Sequence, residues 1–346
     1  MSCPVLSVIV PTYNRKDMLL EALEGIRRQT LKDIEIIIVD DCSTDGTEDT
    51  VKNIPDERIK YFRNEKNSGQ DESRMNAFRQ ARGKYIVFHD DDDFYTDYEF
   101  FAKAVNIFRE HENENPQLAF VGANAILTNV NTGYSCTSSL GIYNERINGL
   151  DYILGSVDGQ KYRKPFSVFT AIFMADILKK SVPAINSAED TFLHFNASFY
   201  GDVYFMPDIV GIYRMHNNSV TLGMKNDKAY EIRSYNSLIR TIKSTLYVRK
   251  QLYEIAGEKD AECWYTKRMI QTMNFNAIAH PKFIHKAKVL YIMTKEAVMT
   301  PGLFVKLAKR VFINGSIIGF LRKITPLRKL WRFIKYRCRG KPYPED

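Results

Sequence analysis

Four consecutive carboxylates, Asp90, Asp91, Asp92 and Asp93, follow the apolar run at 85–88 with only His89 between. In an extended segment alternate side chains point the same way, so Asp90 and Asp92 are expected to face one pocket, with Asp91 and Asp93 turned to the other side. Two carboxylates on one side can hold a hard divalent cation. Magnesium and manganese prefer oxygen ligands and keep positions for water and substrate phosphates. Taken alone, a run of like charge reads equally as a solvated acidic turn. A second acidic pair, Asp40 and Asp41, ends the apolar run at 34–39. It could accept hydrogen bonds from a base or ribose, or cap a helix that follows Ser43. Two later segments add candidates: Glu189 and Asp190 in SAEDTFL, and Tyr213, Arg214 and His216 in YRMHNNS. By itself the former pair reads equally as an acidic helix N-terminus. His216 alone reads more often as a polar loop residue, although histidine is a common metal ligand.

Such groups need a frame to bring them together. Residues 6–10, ending at Pro11, and residues 34–39 read as buried parallel strands. Between them Met18, Leu19, Ala22, Leu23 and Ile26 recur at helical spacing, with Glu21, Glu24, Arg27 and Arg28 on the other side. The alternation continues with a turn and helix start at 43–46, a short strand at 59–62, a helix at 73–82 and a strand at 85–88. This order predicts a doubly wound α/β sheet, whose ligands gather at the carboxyl ends of the strands. Both acidic runs fall there. Beyond about Asn226 the apolar pattern turns helical, with Tyr235, Leu238, Ile239, Ile242 and Leu246 on one stripe. The expected division is residues 1–225 and 226–346.

In their order, VIVPTYNR (8–15), Gln29 with Thr30, EIIIVDDCSTD (35–45), Asn67 to Gly69 and YIVFHDDDD (85–93) resemble the inverting glycosyltransferases of family 2. The resemblance spans roughly residues 5–222. It implies the GT-A fold, a Rossmann-like doubly wound mixed sheet flanked by helices, here with a C-terminal helical extension. It further implies a nucleotide cradle of Pro11, Thr12, Tyr13, Asn14, Asp40 and Asp41, with Asp41 at the base. The family's DxD element maps onto Asp90 and Asp92, with Asp92 the direct ligand of Mn2+ or Mg2+. Asp91 replaces a residue that is usually small or neutral and joins the donor contacts. Glu189 and Asp190 match the acidic pair whose aspartate is the catalytic base. Tyr213, Arg214 and His216 match the segment whose histidine helps hold metal and diphosphate. Ala188 stands where the family often has glycine, and Ser73, Arg74 and Met75 where it has Ala-Arg-Asn, leaving Gly69 and Arg74 as donor-side candidates. The implied reaction moves a hexosyl or N-acetylhexosaminyl group from a nucleoside-diphosphate sugar, UDP on family grounds, to an acceptor hydroxyl.

The 346 residues, 45% hydrophobic, suffice for one large α/β core and an extension. The net charge of +8 is uneven. Residues 301–346 hold twelve Lys and Arg against Glu345 and Asp346, a net +10, while residues 1–300 hold 37 basic and 39 acidic residues, a net −2. Basic character confined to a tail argues against nucleic acid as partner. Cys3, Cys42, Cys136, Cys263 and Cys338 show no pairing or metal-ligand spacing, which suits a reducing compartment. Without a signal-peptide pattern the chain is expected in the cytoplasm. The apolar stretch at 311–321 is too short to span a bilayer. Leu327, Leu330, Trp331, Ile334 and Cys338 lie opposite Arg328, Lys329, Arg332, Lys335 and Arg339 at helical spacing. That pattern predicts a basic amphipathic helix on the anionic inner face of the cell membrane, and with it a lipid-linked glycan acceptor of bacterial surface-polysaccharide assembly. The same stripe would also suit packing on the catalytic domain or on a second copy in a homo-oligomer. A sugar nucleotidyltransferase would need a glycine-rich phosphate loop where PTYNR stands. A non-catalytic binding protein would have no need of every acidic group. Dinucleotide and Walker phosphate loops are absent.

Overall fold

The computed structural model describes residues 3–138, 141, 144–157, 161–165, 167–181, 190–216, 228–279, 283–297, 300, 302–303 and 306–307. The chain divides into two units, Met1–Gly223 and Met224–Asp346. The first begins with β1 (Leu6–Thr12), α1 (Lys16–Arg27), β2 (Ile34–Asp40), α2 (Thr47–Lys52), β3 (Ile59–Arg63), α3 (Gln70–Gln80) and β4 (Tyr85–Phe88). It continues through β5 (Phe94–Tyr95), α4 (Phe100–Glu110), β6 (Leu118–Asn129), β7 (Ser135–Ser138), β8 (Glu145–Ile147) and α5 (Gly149–Ser156). Then follow β9 (Ala171–Met174), α6 (Ala175–Ser181), α7 (Asp190–Ser198) and β10 (Asp202–Met215). The sheet order is β3-β2-β1-β4-β9-β6-β10-β5, with β7 on β6 and β8 on β10. Strands β1 to β4 are parallel, whereas β9 runs antiparallel to both β4 and β6. This is the expected doubly wound, mixed α/β sheet.

Every residue of β1 and β2 is buried, which is why their sequences are nearly unbroken apolar runs. Among the polar exceptions, Glu35 accepts hydrogen bonds from Ser7 Oγ at 2.6 Å, Lys60 Nζ at 2.5 Å and the Arg82 amide at 2.7 Å. A buried carboxylate is tolerated only with such partners. Helix α1 buries Leu19, Ala22, Leu23 and Ile26, the predicted stripe. Both strands outrun their apolar cores, to Thr12 and Asp40, because these two residues are still paired across the ladder. Helix α3 starts at Gln70, three residues before the predicted start, because Gly69, at φ 91°, turns the chain into the helix there.

Strand β10 is what carries the later motif back to the sheet. It is parallel to β6, shifts register between Phe205 and Ile209 around Pro207, and then meets β5 at Gly211 and Ile212. Proline cannot donate to a ladder, so a shift there is expected. The strand ends with Arg214 and Met215, and His216 follows directly.

The second unit consists, as described, of α8 (Lys228–Ile255), α9 (Glu258–Ala279) and α10 (Phe283–Glu296). Tyr235, Leu238, Ile242, Val248 and Leu252 of α8 are buried, as are Trp264, Tyr265 and Met269 of α9. An ion pair joins Arg249 to Glu262. Among the described residues no helix is long and apolar enough to cross a membrane. The predicted basic helix at 327–338 lies outside the described residues.

Candidate active site

Two loops at the carboxyl ends of β1 and β2 are tied together. The Asn14 amide donates to Ser43 Oγ at 2.9 Å, and Asn14 Oδ1 accepts from the Thr44 amide at 2.8 Å. Asn14 sits at φ 51°, a left-handed conformation that asparagine tolerates better than most residues. Asp45 accepts from the Lys16 amide and from Thr47, and these bonds outweigh burial and hold its carboxyl below the usual range. Asp40 is fully buried and accepts from the Ser43 amide at 2.8 Å and from the Tyr61 hydroxyl. Asp41 accepts from Asn64 Nδ2 at 2.9 Å and from the Ser68 and Gly69 amides at 2.8 and 2.7 Å. The capping alternative fails for both: α2 begins after Gly46 with no side-chain cap. Pro11 and Thr12 are buried in β1, while Tyr13 is 45% exposed above the strand end.

The acidic run is a turn and not an extended segment, since the Asp93 amide donates to the Asp90 carbonyl at 3.2 Å. That corrects the expected alternation. Asp93 joins Asp90 and Asp92, and one ligand oxygen from each lies within 4.8 Å of the others. Asp91 turns to β1, where Thr12 Oγ1 and Arg15 Nη1 donate to its two oxygens, each at 2.8 Å. Arg15 Nη1 also reaches Asp92 Oδ2 at 2.9 Å. Arg74, buried on α3, pairs with Asp90, which also accepts from Gln70 Nε2 at 2.7 Å. From β10 the Arg214 amide donates to Asp93 Oδ1 at 3.1 Å, its guanidinium bonds the Asp92 carbonyl and Glu21, and His216 Nε2 lies 3.1 Å from Asp92 Oδ2.

These contacts set the charges. Burial pushes the Asp93 carboxyl well above the usual carboxylate range, and the charges of Asp92 and Asp90 add to it. Burial likewise raises Asp91, against the pull of Arg15. For Asp92 burial works upward too, but the hydrogen bond to His216 and the charge of Arg15 hold its carboxyl below the usual range. His89, wholly buried beneath the turn, is pushed down to about 4 by desolvation. Its Nδ1 lies 2.8 Å from the Asp90 carbonyl, which can only accept, so Nδ1 carries the proton. An all-oxygen trio with one carboxyl forced upward by burial and by the charges beside it fits a hard divalent cation, which would offset both.

Of the sequence-predicted residues, Thr12, Arg74, Asp90, Asp91, Asp92, Arg214 and His216 are thus joined in one network, and Asn14, Asp40, Asp41 and Gly69 form the neighbouring clamp. Glu189 lies outside the described residues. Asp190 opens α7, and its side chain lies outside the described residues as well. Sequence reasoning missed Arg15 and Asp93. Both were within quoted motifs: Arg15 directly follows PTYN, and a cation there had an acidic run to neutralise.

Residues 7–157 match the family model "Glycosyl transferase family 2". The chain carries a family 2 glycosyltransferase domain. This glycosyltransferase is 28% identical over 264 residues, 71% of the chain and 77% of the relative, to GalNAc(5)-diNAcBac-PP-undecaprenol beta-1,3-glucosyltransferase of Campylobacter jejuni. It is 42% identical over 91 residues, 26% of the chain and 36% of the relative, to UDP-Glc:alpha-D-GlcNAc-diphosphoundecaprenol beta-1,3-glucosyltransferase WfaP of Escherichia coli. The crystal structure of S. aureus TarS 1-349 in complex with UDP matches it with a TM-score of 0.61 at 19% identity, covering 99% of this chain and 93% of that one. That likeness establishes the GT-A fold of the enzyme.

Proposed function

We propose that the enzyme transfers a sugar, with inversion, from a UDP-sugar to a hydroxyl of a lipid-linked glycan in bacterial polysaccharide synthesis. The observation that carries this reading is the convergence of Asp90, Asp92 and Asp93 beside the clamped loops of β1 and β2, within a family 2 domain. The donor and acceptor classes draw on the names of the Campylobacter and E. coli relatives, both of which act on undecaprenol-linked glycans.

The clamp offers the exposed ring of Tyr13 and the polar edges of Asn14 and Asp41 to the nucleoside, and the fully buried Asp40 braces the loop beneath them. Asp90, Asp92 and Asp93 would hold Mn2+ or Mg2+, with His216 alongside. Such an ion supplies Lewis-acid neutralisation of a departing diphosphate. Arg74 and Arg214 add fixed positive charge on the donor side of the turn, and Glu189 is assigned to the donor contacts. Asp190, at the start of α7, takes the proton of the acceptor hydroxyl as that oxygen attacks the anomeric carbon from the face opposite the diphosphate. Residues 1–225 are read as the catalytic domain, 226–346 as a helical extension, and the basic segment at 301–346 as its peripheral attachment to the inner face of the membrane.

A thermal-shift screen of nucleotide sugars with and without Mn2+ tests the donor reading. A ligand that binds only the folded state must raise the melting temperature, and the expected shift is for UDP-sugars with the cation present. Asp190→Asn should keep that shift and lose about 10²- to 10⁴-fold in transfer rate. Full transfer by this variant would remove the base assignment, and pyrophosphate release from a nucleoside triphosphate and a sugar phosphate would point to a nucleotidyltransferase instead. Liposome flotation of the chain truncated after Pro301 tests the tail, since unchanged recovery with anionic vesicles would discard the membrane reading.

A further inference from the structure

The acidic turn is neutralised from within the chain. Arg74 meets Asp90 and Arg15 spans Asp91 and Asp92, while Arg214 donates its backbone amide to Asp93 and its guanidinium to the Asp92 carbonyl and to Glu21. Two guanidiniums and His216 thus bond carboxylates of the turn, and a third guanidinium holds its backbone.

Arg15 differs from the other two arginines. One of its nitrogens, Nη1, is shared between a carboxylate of the cation trio, Asp92, and one turned away from it, Asp91. It could release the first and keep the second, so that yielding Asp92 would leave the guanidinium paired. Asp91 is held ready for this, because Thr12 fixes its other oxygen. The Arg15 side chain is also the most exposed of the three, at 20% against 12% for Arg214 and 4% for Arg74, and so has the most room to move.

We propose that Arg15 is a built-in counterion of Asp92 that exchanges with the divalent cation. Without the cation it holds the carboxylate; when the cation binds, it withdraws onto Asp91. This rests on the cation reading given above. The exchange sets cation affinity below what the three carboxylates would give alone, because the guanidinium must first be displaced. Arg15 is therefore a positioning residue acting through Asp92, and it works as a threshold against cation uptake.

The test is Mn2+ titration of the full-length protein by electron paramagnetic resonance, with no nucleotide present. Arg15→Met and Arg15→Gln should each bind Mn2+ about tenfold more tightly than the unsubstituted protein, on the scale of one partly buried ion pair. Arg15→Lys, which keeps the charge, should restore the original affinity. A residue that merely braced the turn would give the opposite sign, so equal or weaker Mn2+ binding by both neutral variants overturns the exchange. Asp92→Ala separates the two ideas. If it binds Mn2+ as well as the unsubstituted protein does, the cation site itself is misassigned, whereas Asp92-dependent binding that ignores Arg15 refutes this inference alone.

Discussion

The carboxylates at the ends of β2 and β4 are neighbours in the fold yet are satisfied in different ways. Asp40, Asp41 and Asp45 accept mainly from backbone amides and small polar groups of their own and adjoining loops. Amides cannot leave without unfolding the loop, so this side is fixed before any ligand arrives. Asp90, Asp91 and Asp92 are met by arginine side chains and a histidine, and the side chain of Asp93 is crowded by like charge. Side-chain counterions can be exchanged for another cation. The comparison separates a preorganised loop clamp, proposed above to hold the nucleotide, from a charge centre met by side chains.

The sharpest way to break the comparison is Asp92→Ala. Transfer should fall by about 10²- to 10³-fold, as when a group that stabilises developing charge is removed. The Mn2+-dependent stabilisation by UDP should vanish while circular dichroism stays native. The matching change in the clamp, Asp41→Ala, should act on stability, because it strips partners from Asn64 and from two loop amides. A loss of about 1–3 kcal/mol in urea unfolding is expected. An Asp41→Ala protein as stable as its parent would refute the clamp.

Glu35, at the opposite end of β2, offers a carboxylate saturated like Asp41 but remote from any ligand role. Burial opposes its ionisation, yet Lys60, Ser7 and the Arg82 amide hold its pKa below the ordinary value. A depressed folded-state pKa means that the contribution is present above the unfolded value and is lost as pH falls through the folded one. Glu35→Gln should therefore cost about 1–2 kcal/mol near pH 7. The gap should close below about pH 4, with transfer rates unchanged throughout. The smallest effect belongs to Gly69→Ala. At φ 91° and ψ 158° the position suits glycine, and nothing lies within 4 Å of an added Cβ, so the cost is backbone strain of about 1 kcal/mol. Thermal melting resolves it.

Much of this could be read along the chain. Nearly unbroken apolar runs marked β1, β2 and β4, since strands covered on both faces admit little else, and the spacing of Leu19, Ala22, Leu23 and Ile26 gave the buried face of α1. Acidic residues directly after such runs located the site, because in this architecture a strand's carboxyl end opens onto the crevice. Amino-acid order alone could not tell which of four adjacent aspartates share a cavity. A single turn decides that, and the turn is held by the Asp93 amide and by Arg214, which is 121 residues away in sequence. Nor could order show that Arg15 divides itself between Asp91 and Asp92. Local sequence determines burial pattern and charge, through periodicity that each element carries within itself. The pairing of charges depends on distances of a few ångströms between separate elements, and only the assembled sheet sets those.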